Sequence, residues 1–164
     1  MTIQVGEIVG YRYWRATKCG SLFSLWQYTP WYPHIPMTGD IGACYLTSFE
    51  NRRYQGVYAW KTLEDLYREP WQAYYRISTK SDVPLPSLFT SNNWMDKGDI
   101  FYIIIAGEIE LWGDIMVHER GYRASFGYPR GFYKDYKEFS KIPILETYLS
   151  ILEKVSKKYG VELI

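Results

Sequence analysis

The sequence predicts an α+β fold that is mainly an antiparallel β-sheet, with one mid-chain helix and a C-terminal amphipathic helix packed on the sheet. Aromatic side chains make up 19% of the residues, and they favour pleated, half-buried surfaces. Residues 109–117 alternate between apolar and polar side chains as a strand does, whereas residues 144–159 repeat apolar side chains at helical spacing. We therefore expect five or more strands with the last helix lying against them.

Length and composition favour one globular domain over residues 1–164. Hydrophobic residues make up 47% of the chain and charged residues 23%, which is ordinary for a folded protein. A chain of this length buries about 70% of its unfolded surface, so it needs no metal or disulfide for stability. The only cysteines, Cys19 and Cys44, show no metal-ligand spacing. We expect no metal and no cofactor.

The chain shows no sign of export or of a membrane span. No basic and apolar leader follows Met1, and the longest apolar run, residues 100–106, is far shorter than the roughly 20 residues that a spanning helix needs. We therefore expect a cytoplasmic protein without membrane association. Asn and Gln are scarce, which agrees with a thermophilic source.

Several short strands are expected in the first part of the chain, over residues 5–14, 22–26, 40–47 and 57–60. Residues 29–39 contain three prolines, which lack a backbone donor. We expect this segment to be a surface loop with exposed rings and to stay outside the sheet.

A short helix is predicted after Thr62, whose hydroxyl can cap it with Asp65 at the third helical position. Pro70 is expected to end this helix, and residues 78–97 are expected to form a long loop of the kind that is often functional. The predicted apolar face of the helix comprises Leu63, Leu66 and Tyr67.

The strongest strand signal covers residues 100–119, and we expect Gly107 to divide it into two strands. Gly121 allows a turn into a last strand over residues 122–128, and Pro129 is expected to close the sheet. Gly160 suits the end of the C-terminal helix. The predicted shared core comprises Ile109, Leu111, Ile115, Val117, Leu145, Leu149 and Leu152.

Ionisable side chains crowd one strand end and turn, where His118, Glu119, Arg120 and Arg123 follow each other closely. An arginine held by a carboxylate beside a histidine is one way to build a pocket for a phosphate or carboxylate. A Glu–Arg pair can equally pin a hairpin. The sequence leaves both interpretations open.

This stretch resembles a segment, LWG-x-V-x-x-H-E-x-G-Y-R-A, of a family of small uncharacterised proteins from prokaryotes and their mobile elements. Similar segments are GYRYW at residues 10–14 and GVYAWKT at residues 56–62. The resemblance implies a shared fold and an association with mobile elements or viruses, and it carries no established activity. Family members often have His or Cys before the GVYAW segment, where this chain has Gln55. The matched residues are Leu111, Trp112, Gly113, His118, Glu119, Gly121, Tyr122, Arg123 and Ala124.

Two enzyme hypotheses arise as well. The strand order is similar to ADP-ribosyltransferase-like folds, in which an Arg or His, an aromatic residue and a Glu hold the nicotinamide dinucleotide; Arg12, Tyr58 and Glu119 would be the counterparts. Cys44 could form a Cys/His/Glu triad with His118 and Glu119. However, Cys44 follows an apolar strand pattern, in which free cysteine usually packs.

A nucleic-acid hypothesis rests on residues 10–17, where GYRYWRAT interleaves aromatic rings with Arg12 and Arg15. Strand alternation would place these two arginines on opposite faces. The net charge of +1 gives no overall field that would attract a polyanion. Both points count against a nucleic-acid binder without excluding a local basic patch.

Together these patterns favour a non-enzymatic binding or interaction domain whose partner is a protein or a small anionic ligand. The alternatives are a nucleotide-handling enzyme of ADP-ribosyltransferase-like type and an RNA or single-strand nucleic-acid binder. No residue is assigned a catalytic role. The candidate ligand-binding residues are Arg12, Tyr58, Trp60, Trp112, His118, Glu119, Tyr122 and Arg123.

Overall fold

The computed structural model describes residues 2–5, 7–24, 29–39, 56–68, 102–134 and 145–164. The predicted α+β class is confirmed, because a largely antiparallel sheet carries one mid-chain helix and one C-terminal helix. The predicted strand over residues 40–47, which contains Cys44, and the predicted loop over residues 78–97 lie outside the described residues. In chain order the elements are β1 (Thr2–Val5), β2 (Ile8–Thr17), β3 (Leu22–Ser24), β4 (Pro30–Trp31), β5 (Met37–Thr38), β6 (Val57–Trp60), α1 (Leu63–Arg68), β7 (Tyr102–Val117), β8 (Gly121–Phe132), α2 (Leu145–Tyr159) and β9 (Glu162–Leu163).

The long hairpin of β7 and β8 organises the sheet. One edge of β7 pairs with β8 and the other pairs with β1 and β2 in turn. The second edge of β8 pairs with β6, β5 and β9, and only β9 runs parallel to it. Since β6 also pairs with β2 at Trp60 and Tyr11, the hydrogen-bonded pairs β2–β7–β8–β6 form a ring that returns to β2. This ring brings β2, β6 and β8 side by side.

The expected break at Gly107 is wrong, because β7 runs through it as one strand. A Cβ atom at this position would lie 2.1 Å from the carbonyl oxygen of Gly131, so the two strands approach too closely there for a side chain. The register of β7 with β8 shifts twice, between Glu108 and Ile109 and between Trp112 and Ile115, and Gly113 at the second shift has a φ of 80°. The second shift is a β-bulge that adds one residue to β7. Ile115 remains in the core after it, and Met116, which strict alternation would place away from the core, is buried as well.

Two further expectations about proline are corrected. Residues 30–31 and 37–38 belong to the sheet as β4 and β5, and Trp31 is buried. Pro30 is tolerated because it begins a two-residue strand at the end of the sheet order. Likewise Pro129 does not close the sheet. It lies inside β8 next to a register shift, where the ladder can lose a donor.

Helix α2 and the sheet share a core centred on Trp14. The indole ring of Trp14 makes edge-to-face contacts with Trp31 at 5.9 Å and with Phe132 at 5.5 Å between ring centroids. The last turn of α2 joins this core through Tyr159, whose hydroxyl donates a hydrogen bond to the Trp31 carbonyl at 2.5 Å and accepts one from the Leu22 amide at 2.9 Å. One phenol therefore ties the helix to β3 and β4.

The predicted core is confirmed in part. Ile109, Leu111, Ile115 and Leu152 are fully buried, and Val117 is half-buried. The placement of Leu149 in the core is wrong, because it is 38% exposed. The side chain of Leu145 lies outside what the structure describes. The buried stripe of α2 comprises Tyr148, Ile151, Leu152, Val155 and Tyr159.

The mid-chain helix begins as predicted. The Asp65 amide donates a hydrogen bond to the Thr62 hydroxyl at 3.0 Å, so Thr62 caps α1. Of its predicted apolar face, Leu66 is buried and Leu63 half-buried, whereas Tyr67 is largely exposed. No helix in the described part of the chain is long and apolar enough to cross a membrane.

Candidate ligand-binding site

The pairing of β6 with β8 brings the best-supported candidate residues together. Tyr58 lies opposite Arg123 and Trp60 lies opposite Gly121. The rings of Tyr58 and Trp60 meet edge to face, with their centroids 5.3 Å apart. The Arg123 guanidinium carbon lies 5.7 Å from the centroid of the Tyr58 ring. These side chains thus share one side of the sheet, and the cation lies over the negative face of the phenol ring.

Gly121 is needed here because Tyr58 comes so close. A Cβ atom at residue 121 would lie 2.7 Å from Tyr58 Oη and 2.9 Å from the carbonyl oxygen of Ala59. The sequence suggested that this glycine serves the turn, yet it is not among the residues with positive φ. The turn is closed instead by the His118 amide, which donates to the Gly121 carbonyl at 2.8 Å. Gly121 therefore provides space for the tyrosine ring.

Arg120 extends this surface from the turn. Its guanidinium carbon lies 5.3 Å from the centroid of the Trp60 ring, and its Nε donates to Asp65 Oδ1 at 2.9 Å. Asp65 is itself oriented, because its Oδ2 accepts a hydrogen bond from the hydroxyl of Thr62. The hydrogen bond from Arg120 is the main reason that the pKa of Asp65 is lowered. An acid on α1 and an indole on β6 thus fix the plane of this guanidinium.

Part of the Arg120 side chain remains accessible to solvent. Its side chain is 50% exposed, whereas that of Asp65 is 16% exposed. Only Nε forms a hydrogen bond with another described residue, so Nη1 and Nη2 keep their donors available to an incoming group. We refer to Tyr58, Trp60, Asp65, Arg120 and Arg123 as the Arg–aromatic face.

Arg12 lies behind this face. Its Nη1 donates to the Tyr58 carbonyl at 3.1 Å, and its guanidinium carbon lies 4.8 Å from the centroid of Trp31 and 5.5 Å from that of Trp14. These contacts join β6 to the indoles of the core. Arg12 is therefore placed to support Tyr58 from the inside of the fold.

The N-terminal aromatic segment does not form an exposed stacking surface. Tyr13, Trp14 and Arg15 of the GYRYWRAT segment are all buried. Bases stack on rings that solvent can reach, so burial removes these residues from direct contact with nucleic acid. Any nucleic-acid site has to use other residues.

Four of the predicted site residues lie elsewhere. Glu119 is exposed in the turn and makes no hydrogen bond or ion pair with another residue that the structure describes, so it does not form the Glu–Arg pair that could pin the hairpin. His118 precedes the turn and is half-buried. Tyr122 faces the opposite side of β8, where Lys61 Nζ lies 5.6 Å from its ring centroid. Trp112 stacks on Phe126 at 5.9 Å, beside the bulge of β7.

The sequence did not identify Asp65 and Arg120 as a pair. Arg120 was noted in the charged turn and Asp65 in the helix cap, but 55 residues separate them. Only the β6–β8 pairing brings the start of α1 next to the turn. The strand register, which the sequence does not specify, is thus what creates the contact.

Within the described ranges no group of three or more His, Cys, Asp or Glu side chains is placed to hold a metal ion. Comparison of the chain with protein-family models, with curated proteins and with solved structures found no match.

Proposed function

We propose that this protein is a non-enzymatic binding domain and that its Arg–aromatic face binds an anionic group of a ligand or partner protein. The observation that carries the proposal is the geometry of Arg120. Its guanidinium lies against Trp60 and is held by Asp65 through Nε alone, while half of the side chain is exposed. This arrangement leaves the two terminal nitrogens without a hydrogen bond to any other described residue.

A guanidinium held in this way suits an oxyanion. Nη1 and Nη2 donate in one plane, so they can contact both oxygens of a carboxylate or two oxygens of a phosphate. Trp60 shields one side of the cation from water, which strengthens its electrostatic contacts. Because Asp65 already fixes the side chain, binding costs less conformational entropy than it would for a freely rotating arginine.

The contact with Trp60 distinguishes Arg120 from an arginine in an ordinary surface ion pair. Arg68 is also exposed and forms an i, i+4 ion pair with Glu64 on α1. However, no described aromatic ring lies under its guanidinium. Exposed pairs of this kind contribute about 0–1 kcal/mol and hold their side chains loosely. Arg68 therefore provides a matched control for Arg120.

The proposal is tested by a thermal-shift screen of carboxylates, inorganic phosphate and nucleotides on wild type, Arg120→Lys and Arg68→Lys. A ligand present at 100 times its dissociation constant adds about 2.7 kcal/mol to the free energy of unfolding. For a domain of this size that corresponds to a rise in Tm of roughly 5–10 °C. We expect the rise in wild type and Arg68→Lys and its loss in Arg120→Lys, because lysine cannot make the planar contact.

Two results would contradict the proposal. One is that no anion stabilises wild type. The other is that an anion stabilises wild type and Arg120→Lys equally, which would place its site elsewhere. Membership of the resembled family and an association with mobile elements remain predictions from the sequence.

A further inference from the structure

A second surface lies at the C-terminal end of α2. Here the turn between β2 and β3, residues 18–21, meets the last turns of the helix. Lys154 Nζ donates to the carbonyl of Lys18 at 3.5 Å, and Lys158 Nζ donates to Ser21 Oγ at 2.9 Å. Two lysines of the helix therefore converge on a turn that contributes a third.

These lysines form no ion pair with an acidic residue that the structure describes. None of Lys18, Lys154 and Lys158 forms an ion pair within the described part of the chain, although the protein as a whole is nearly neutral at +1. Lys154 and Lys158 lie at i, i+4, where like charges repel each other and weaken a helix. The helix dipole offsets this cost for lysines in the last turn, but it does not account for Lys18, which comes from another element.

An exposed aromatic residue, Tyr32, lies at the end of the β3–β4 pair that meets the last turn of α2. β3 and β4 are antiparallel, with Leu22 opposite Trp31. Ser21, which precedes β3, and Tyr32, which follows β4, therefore lie at the same end of this strand pair. The carbonyl of Trp31 accepts a hydrogen bond from the hydroxyl of Tyr159 in the last turn of α2. Tyr32, the next residue, is 58% exposed. An exposed ring therefore follows directly after the residue that the end of α2 contacts.

We infer that the surface formed by Lys18, Tyr32, Lys154 and Lys158 binds single-stranded nucleic acid. Clustered lysines that form no ion pair within the described ranges match the phosphate backbone in charge, and an exposed ring offers a stacking platform for one unpaired base. A base within a duplex is stacked on both sides and cannot use such a platform. The surface differs from the GYRYWRAT segment, whose central rings are buried.

The salt dependence of binding tests the inference quantitatively. For single strands, log K falls with log salt with a slope of about −0.7 per neutralised phosphate. Three lysines predict a slope of about −2, so affinity for a short fluorescent RNA or DNA should fall about twentyfold between roughly 50 and 200 mM salt. In Lys154→Ala/Lys158→Ala the same change of salt should reduce affinity only about threefold. Alanine preserves the helix, so the variant is expected to fold.

Matched variants separate the contributions of the lysines and of Tyr32 to nucleic-acid binding. Arg68→Ala/Arg120→Ala removes the same number of positive charges elsewhere and should leave the slope near the wild-type value. It also disables the Arg–aromatic face, so failure of that proposal and failure of this inference are distinguishable. Tyr32→Ala should weaken binding at least about fivefold without changing the slope, because stacking does not release counterions.

Three outcomes would overturn the inference. The first is no binding to either oligonucleotide at the lower salt concentration. The second is a slope that both double variants reduce equally, which would show that net charge alone matters. The third is a Tyr32→Ala variant with wild-type affinity together with equally tight binding to duplex DNA or to anionic phospholipid vesicles, which would show a general polyanion surface.

Discussion

Arg120 and Asp65 form the contact that links the hairpin turn to the mid-chain helix, with Nε of the arginine 2.9 Å from Oδ1 of the acid. The indole of Trp60 lies under the same guanidinium. Three elements, α1, β6 and the β7–β8 turn, thus meet at one cation. The acid has a structural role, which is to orient the arginine, and the arginine keeps donors for a ligand.

The first prediction concerns the pH dependence of this contact. The Asp65 pKa is lowered in the folded protein, so its ionised form contributes stability above the ordinary Asp pKa. That contribution is lost as the pH falls through the lowered folded pKa. Wild type should be more stable than Asp65→Asn at neutral pH, and the difference should disappear in acid.

Urea denaturation of both proteins between neutral pH and about pH 2 measures this difference, since about pH 3.9 is the ordinary midpoint for Asp. Asparagine can still accept from Arg120, so the fold is expected to persist. A difference that stays constant over the whole range would show that charge at Asp65 contributes nothing.

The second prediction concerns the packing of α2. Truncation of Leu152 to Ala should lower the free energy of unfolding by about 2–5 kcal/mol, because the side chain is fully buried. Truncation of Leu149, which is partly exposed, should cost less than about 1 kcal/mol. Reversible chemical denaturation measures both. Equal costs would mean that the helix is rotated relative to the sheet.

The contrast between Leu149 and Leu152 shows how far the sequence could predict the fold. Helical spacing identified α2 and its C-terminal glycine, and Gly160 indeed has a φ of 64°. The spacing did not determine which face of the helix turns toward the sheet, because apolar residues occupy more than one face. Ile151 is buried while Leu149 is not, and only contact with the sheet decides between them.

The prediction of the sheet from the sequence was limited in a similar way. The class and most strands followed from composition and alternation, but alternation predicted neither the bulge at Gly113 nor the burial of Met116 beside Ile115. For the candidate site, Tyr58 and Arg123 were named from the sequence and lie opposite each other. Trp112 and Tyr122 were named too and lie elsewhere, since a local pattern does not specify the strand register.

The third prediction concerns the space that Gly121 leaves for Tyr58. Gly121→Ala should destabilise the protein by about 1–3 kcal/mol, because the new methyl group would overlap the phenol. Tyr58→Phe removes the hydroxyl and should relieve part of this cost. The relief is incomplete because the Ala59 carbonyl also lies within 2.9 Å of the added atom.

A double-mutant cycle of Gly121→Ala and Tyr58→Phe measures this relief as a coupling free energy, expected to be at least about 0.5 kcal/mol. Strict additivity would show that the tyrosine hydroxyl moves aside without cost and that close packing does not explain the glycine.

The fourth prediction concerns Cys19, which lies in the turn contacted by the α2 lysines. Its pKa is lowered, mainly by the hydrogen bond with Thr17 and in smaller part by Lys158. Alkylation of Cys19 should therefore reach half of its maximal rate at a lower pH than alkylation of a free cysteine. Thr17→Val should raise that midpoint more than Lys158→Ala does. Peptide mass spectrometry follows Cys19 separately from Cys44, and an unchanged midpoint in Thr17→Val would contradict the assignment.

The last prediction separates the two arginines of the Arg–aromatic face. Arg123 is only 4% exposed and lies over the Tyr58 ring, whereas Arg120 is half exposed. Arg123→Lys should lower the free energy of unfolding by about 0.5–2 kcal/mol, because lysine loses the planar stacking on the ring. An anion that stabilises wild type should still raise the Tm of this variant by a similar amount.

Arg120→Lys should behave in the opposite way, with stability near that of wild type and no rise in Tm on addition of the anion. Exposed ion pairs contribute little to stability, about 0–1 kcal/mol, but the planar donors of arginine are what the anion would contact. Thermal shift and urea denaturation of both variants therefore distinguish the structural role of Arg123 from the ligand-binding role of Arg120. If Arg123→Lys instead kept its stability and lost the rise in Tm, the ligand would have to reach the buried guanidinium, and the binding surface would be centred on Tyr58 rather than Trp60.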